Sequence, residues 1–218
     1  MLRLRSALAA ITLAWIVVPR ESGGQEQPRV TGLIGIQAGL SGGVALPVGD
    51  LNDRYGPGFR IAGHVGAAAA FFPIGVRFDV VYDRLAGGSV TPPGVGGPAR
   101  LDDAGIWSGV LNLVVRLAQP ERSTLEPYLL GGAGVFHVTS YGVSHDGAGN
   151  TYVDSAPSRT KFGLHVGGGV RYPLFGLNSF AEIKLVNVFG GTLSASGADE
   201  SAARWIPITV GFTVPLGG

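Results

Sequence analysis

Residues 75 to 83 read Gly-Val-Arg-Phe-Asp-Val-Val-Tyr-Asp, which puts Val76, Phe78, Val80 and Tyr82 on one face of an extended strand and Arg77, Asp79, Val81 and Asp83 on the other, because strand side chains alternate. One face is apolar and the other carries charge of both signs. The same period of two recurs along the chain. Ile34, Ile36, Ala38 and Leu40 alternate with Gly35, Gln37, Gly39 and Ser41 and predict a first strand to about Leu46. A second strand, from about Phe59 to Phe71, sets Arg60, Ala62, His64 and Gly66 against Ile61, Gly63, Val65 and Ala67. The third runs from about Ile74 to Leu85. The fourth, from about Gly105 to Leu117, turns Trp107, Leu111, Leu113 and Val115 outward and Ser108, Asn112 and Arg116 inward. In the fifth, about Glu126 to Thr139, Tyr128, Leu130, Phe136 and Val138 oppose Leu129, Ala133 and His137, and His137 is assigned inward. Phe162, Leu164, Val166 and Val170 against Gly163, His165, Gly167 and Arg171 make a sixth. The seventh, about Ser179 to Phe189, places Glu182 and Lys184 inward; the eighth alternates Ile206, Ile208, Val210, Phe212 and Val214 with Pro207, Thr209, Gly211 and Thr213.

The connections between these strands alternate long and short. Stretches rich in Gly, Pro, Asn and Asp near 47 to 58, 86 to 104, 140 to 160 and 190 to 203 read as long loops, and the joins near Pro73, 118 to 125 and 173 to 178 as tight turns. An even number of strands with apolar and polar faces, short turns at one end and long loops at the other is the pattern of a transmembrane barrel, lipid outside and a polar interior within. Aromatics gather near the strand ends, among them Phe71, Phe72, Tyr82, Trp107, Tyr128, Tyr172 and Trp205, where interfacial girdles would stand.

Composition strengthens the membrane reading. Charged residues are 14% of the 218 against roughly 25% in soluble proteins, too few to cover a water-facing surface of ordinary kind. There is no Cys, hence no disulfide framework and no thiolate metal site. Residues 1 to 24 read as a cleaved signal peptide, with Arg3 and Arg5 ahead of the apolar run Ala7 to Val18, a run too short to span a bilayer as a helix. A short periplasmic linker, 25 to 30, leads to a barrel over 31 to 218. Removing Arg3, Arg5, Arg20 and Glu21 with the signal leaves 13 basic and 14 acidic residues, a formal charge of −1, so no basic balance suits nucleic acid.

Over Thr31 to Leu216 the chain resembles the small outer-membrane β-barrel superfamily of the OmpA transmembrane domain, OmpX and OmpW. The resemblance rests on the signal peptide, the strand alternation, Pro-Tyr-Leu-Leu-Gly-Gly-Ala-Gly at 127 to 134 and the closing strand Trp-Ile-Pro-Ile-Thr-Val-Gly-Phe at 205 to 212. It implies an all-β, eight-stranded antiparallel transmembrane barrel in the outer membrane of a Gram-negative-type bacterium. Expected partners are outer-membrane lipid, lipopolysaccharide and the barrel assembly machinery, with the chain a monomer. Such barrels usually end on an aromatic residue, whereas this chain ends Pro215-Leu216-Gly217-Gly218, with Phe212 the nearest aromatic.

An eight-stranded barrel is only wide enough for side chains to fill, so the inward polar residues should pair with one another rather than line a pore. They are Gln37, Arg60, His64, Arg77, Asp79, Asp83, Asn112, Arg116, His137, His165, Arg171, Glu182 and Lys184. A gated ion or proton path would require Arg77, Asp79 or Glu182 to exchange partners. No metal site is expected, since convergence of His64, His137 and His165 depends on strand stagger. Ser144, His145 and Asp146 carry the residue types of a nucleophilic triad, but consecutive residues of an extended chain point apart. The glycine runs 131 to 134 and 167 to 169 fit neither a dinucleotide nor a phosphate loop and suit curved strands. The expected role is structural or surface-interacting, with no enzymatic activity and no cofactor. The alternatives are an OmpW-like conduit for small hydrophobic molecules and, further off, an outer-membrane lipid-modifying enzyme.

Overall fold

The computed structural model describes residues 34–69, 72–90, 99–100, 103–117, 125–139, 141–145, 151–155, 159–174, 177–190 and 202–216. The signal segment 1 to 24, the linker 25 to 30, Phe71 and Asp146 lie outside the described residues. Eight long strands form: β1 (Ile34–Val48), β2 (Tyr55–Ala69), β3 (Ile74–Gly87), β4 (Ala104–Arg116), β5 (Glu126–Thr139), β6 (Arg159–Leu174), β7 (Leu177–Val188) and β8 (Ala203–Pro215). Each pairs antiparallel with its chain neighbours, and β1 pairs with β8 from Gln37↔Pro215 to Val48↔Arg204, closing the barrel. The eight-stranded antiparallel barrel expected from the alternation is the fold of the chain. Closure leaves no edge strand in the wall.

The stagger of the barrel can be read from its register. A row of paired residues runs Val48, Arg204, Asn187, Leu164, Ala133, Leu111, Phe78, Val65 and back to β1 at Ala38. The row returns ten residues from where it began, counting from Val48 to Ala38. With about 3.3 Å per residue and about 4.8 Å between strands, eight strands with that shift tilt by about 41° and close at a backbone radius of about 8 Å. Such a cylinder holds side chains and little else. Its outer face is apolar along every strand: on β1 the outward residues run from Ile34 to Leu46, about 40 Å along the strand and about 30 Å along the barrel axis, enough to cross a membrane's apolar band of about 25 Å.

Several sequence expectations change. β1 and β2 run further than expected, so the loop placed at 47 to 58 is only residues 49–54, built on the 3-10 turn Gly49–Leu51 with Gly49 at φ 64°. Pro57 and Gly58 belong to β2, beside an irregularity of pairing between Gly56 and Phe59. A Cβ on Gly58 would collide with the Arg84 carbonyl oxygen, so this position reads as a loop glycine but serves a close strand approach. Within the connections 88–103 and 140–158, Ser89–Val90 pairs with Ala99–Arg100 and Tyr141–His145 with Thr151–Ser155, small hairpins that no periodicity announced.

Two aromatics expected in girdles are lumenal. Trp205 is fully buried, edge to face with Phe136 at 5.9 Å, and Tyr128 is also inside. Trp205 shares the odd-numbered inner face of β8 with Thr209 and Thr213. On the outer face Phe59, Tyr82 and Trp107 do form an aromatic cluster near the loop end, with ring centroids 6.0 and 4.8 Å apart, and Phe162 stacks on Phe189 at 6.3 Å.

Candidate functional site in the lumen

Alternation delivers the inner residues, and the stagger decides which of them meet. Toward the loop end the lumen is apolar: Ala45, Leu51, Tyr55, Leu85, Ile106, Val110, Phe136, Val186, Val188 and Trp205 form one buried cluster. Leu51 reaches it from the 3-10 turn, so the first connection folds its apolar residue into the barrel mouth. The inner filling is therefore layered rather than polar throughout.

Below that layer lies a charged waist. Arg77 and Asp79 are two residues apart on the inner face of β3, and Glu182 and Lys184 two apart on that of β7, on the opposite wall. The Arg77 guanidinium donates from Nε to Asp79 Oδ1 at 2.8 Å and from Nη2 to Oδ2 at 3.0 Å, and its Nη1 and Nη2 reach across to Glu182 Oε1 at 2.5 Å and Oε2 at 3.1 Å. Lys184 Nζ lies 2.8 Å from Glu182 Oε2 and 3.5 Å from Asp79 Oδ2. Two cations and two carboxylates alternate in a closed, neutral ring, all at 5% side-chain exposure or less. Buried charge is tolerated on that condition, because each ion's lost hydration is offset only by close partners of opposite sign. The planar arginine fork makes two bonds to each carboxylate at once, which a lysine at 77 could not do.

Around the ring, Tyr128 donates its hydroxyl to Glu182 Oε1 at 2.7 Å, and Arg171 lies over the Tyr128 ring at 5.0 Å. Asn112 Nδ2 donates to the Arg77 carbonyl oxygen at 3.1 Å, and Asn112 Oδ1 meets His165 Nε2 at 2.5 Å. Gly132 makes room for that contact, since a Cβ there would stand 2.6 Å from Asn112 Oδ1 and 2.7 Å from the Leu111 oxygen. A second pair, Arg60 with Asp83 at 3.2 Å, is equally dry. His64 packs edge to face on Phe180 at 5.4 Å. Gln37 is half-buried and adjoins Gly66. Arg116 closes the turn end, donating from Nη2 to the carbonyl oxygens of Ala69 at 2.8 Å and Phe72 at 2.5 Å.

His137 is a correction. It stands on the outer face, with Nδ1 3.0 Å from the Thr160 hydroxyl. Both faces of β5 are apolar, so greasiness could not decide its orientation; pairing with β4 and β6 turns Tyr128, Leu130 and Phe136 inward and carries His137 out. The three histidines therefore do not converge, and among the described residues no group of three or more His, Cys, Asp or Glu is placed to hold a metal. Ser144 and His145 are consecutive residues of the small hairpin. The residue that sequence reasoning missed is Tyr128; with apolar residues on both faces of β5, no signal in the strand's own pattern could have found it.

No family model and no curated protein matches the chain. Solved structures do share its fold. A major outer membrane protein from Thermus thermophilus aligns over 85% of this chain and 100% of its own, at 14% identity and a TM-score of 0.50. Neisserial surface protein A aligns over 84% and 97%, at 18% identity and 0.47. The outer membrane protein OprG from Pseudomonas aeruginosa aligns over 82% and 95%, at 15% identity and 0.46. The likeness is one of fold, that of the small eight-stranded outer-membrane barrel.

Proposed function

We propose that the protein is an integral outer-membrane barrel with a structural or surface-contact role, acting as a single chain. The observation that carries this reading is the sealed lumen: a neutral ring of four buried charges lies beneath a packed apolar cluster that includes Leu51, Phe136 and Trp205. A hydrated ion entering from the loop end would shed its water against Trp205, Phe136 and Leu85, the only charges at that level among the described residues being the mutually paired Arg60 and Asp83, and the ring beneath, being neutral, offers it no net attraction. A conduit for small hydrophobic molecules would need the space those side chains fill. A lipid-modifying enzyme would need a converging nucleophile and base, and Ser144 and His145 sit consecutively on one extended strand. The outer face supports anchoring in lipid, and the loops and their hairpins are the parts left to meet the surroundings.

The test combines outer-membrane fractionation, gel mobility with and without boiling, and conductance across a planar lipid bilayer. The expected result is recovery in the outer membrane, a heat-dependent mobility shift and no stable conductance steps. Reproducible steps from the purified chain would overturn the sealed-lumen reading, and recovery as a detergent-free soluble protein would overturn the membrane reading.

A further inference from the structure

The outer wall is not an even cylinder. On β5 the outward residues Gly131 and Ala133 are small, while their register partners stand proud on both sides: Leu113 and Leu111 of β4, Val166 and Leu164 of β6. The result is a trench of about 710 Å³. It follows the staggered row of the barrel, which descends from the loop end of β8 through Asn187, Leu164 and Ala133 toward Leu111. Its walls are leucine and valine side chains, its floor reaches Asn112 and His165 where Gly132 has no side chain, and it lies inside the lipid-facing belt.

Beside the upper end of the same trench, among the described residues, stands the cation Arg204. Asn187 and Phe189 line it there. Arg204, the register partner of Asn187, donates from Nε to Asn187 Oδ1 at 2.8 Å, which fixes the plane of an exposed guanidinium. A planar fork held by its Nε leaves its two terminal nitrogens, unbonded among the described residues, for a second acceptor, the geometry that suits phosphate. Apolar trench and cationic mouth together match one kind of molecule, with a phosphate head and a flexible hydrocarbon tail.

We infer that this trench is a binding site for a phosphate-bearing lipid of the loop-side leaflet, its acyl chain lying over Gly131 and Ala133 and its headgroup phosphate at Arg204. The inference rests on the membrane-barrel reading above. It makes the wall selective for an anionic lipid rather than indifferent solvent-like contact. A second copy of the chain is the competing occupant.

The experiment is native mass spectrometry of the full chain released from detergent micelles containing equal amounts of dimyristoylphosphatidylglycerol and dimyristoylphosphatidylcholine. The anionic lipid should be retained preferentially. Arg204→Gln should cut that preference by about fivefold, the expected effect of losing one cation at an anionic headgroup, with a smaller loss for phosphatidylcholine, whose phosphate is already offset by its own ammonium. Ala133→Phe, which fills the trench from a lipid-facing position, should lower retention of both lipids, and Gly131→Leu provides an independent filling variant. Equal retention in wild type and both filled variants overturns the site; so does a two-chain mass that Ala133→Phe abolishes, which would assign the trench to a second copy. Heat-dependent gel mobility, measured on each variant, reads barrel closure separately, so loss of the lipid site and loss of the barrel give different results.

Discussion

Glu182→Gln isolates the charge balance of the lumen, because it preserves side-chain length and removes one negative charge from a ring that is otherwise neutral. In the wild type, Glu182 accepts from Arg77, Tyr128 and Lys184. After substitution Tyr128 still has an amide oxygen to donate to, and Arg77 keeps its two bonds to Asp79. Lys184 is left with Asp79 Oδ2 at 3.5 Å, and the ring carries a net positive charge with no route to water. Removing one partner from a buried pair costs about 3 to 5 kcal/mol, and that is the expected loss, read from urea unfolding in lipid vesicles by tryptophan fluorescence. Lys184→Met alone should cost a similar amount, by leaving two carboxylates on one guanidinium. Combining the two restores neutrality around the intact Arg77–Asp79 pair. The double variant should therefore be more stable than the sum of the singles predicts, by about 2 to 3 kcal/mol. Additivity within about 0.5 kcal/mol, or single losses below about 1 kcal/mol, would refute the claim that these four charges act as one buried unit.

Ile183→Arg places a charge on the lipid face between Glu182 and Lys184 and should cost about 2 to 4 kcal/mol if it lies near mid-bilayer, measured by the same unfolding assay; no change would remove that face from lipid. Phe136→Ala, within the loop-end cluster, should cost about 3 to 5 kcal/mol, whereas His137→Ala on the neighbouring outer position should stay within about 0.5 kcal/mol, and the reverse order would invert the assigned faces of β5. Gly132→Val should abolish the heat-resistant folded band, because its Cβ collides with Asn112 Oδ1 and the Leu111 oxygen, while Gly131→Ala, whose Cβ would meet only the His165 oxygen at 3.7 Å, should fold normally.

The strands were legible because a membrane barrel inverts the usual faces sharply: Arg77 and Asp79 on one side of β3, Phe78 and Val80 on the other, leave one workable orientation. β5 was not legible in that way. Its Gly-Gly-Ala-Gly run and its apolar residues on both faces remove the contrast that would turn Tyr128 inward and His137 outward, and only the register with β4 and β6 resolves them. Proximity was a separate problem. That Arg77 faces inward follows from parity, but that it meets Glu182, 105 residues away in sequence, depends on the ten-residue stagger, a property of closure that no single strand encodes. Pro57 and Gly58 misled for the opposite reason: turn-forming types were used here to let strands approach.

The stagger also gives a reason for much of the glycine beyond strand curvature. A backbone radius of about 8 Å leaves too little width for two large rings abreast. Four of the lumenal rings instead lie against a glycine on an adjoining strand. A Cβ on Gly39 would meet the His64 ring at 2.6 Å, one on Gly169 the Tyr128 ring at 2.7 Å, one on Gly211 the Phe180 ring at 2.6 Å and one on Gly163 the Phe136 ring at 2.6 Å. Three of these pairs, Gly39 with His64, Gly169 with Tyr128 and Gly211 with Phe180, are direct register partners. Glycine and ring thus form complementary halves of one packing unit, repeated around the wall, and the rings fill the volume that a wider barrel would leave as a channel. Tyr128 joins this packing to the charged waist, since the ring that rests on Gly169 carries the hydroxyl bonded to Glu182. Moving any one charge of the waist would require its packed neighbours to move as well.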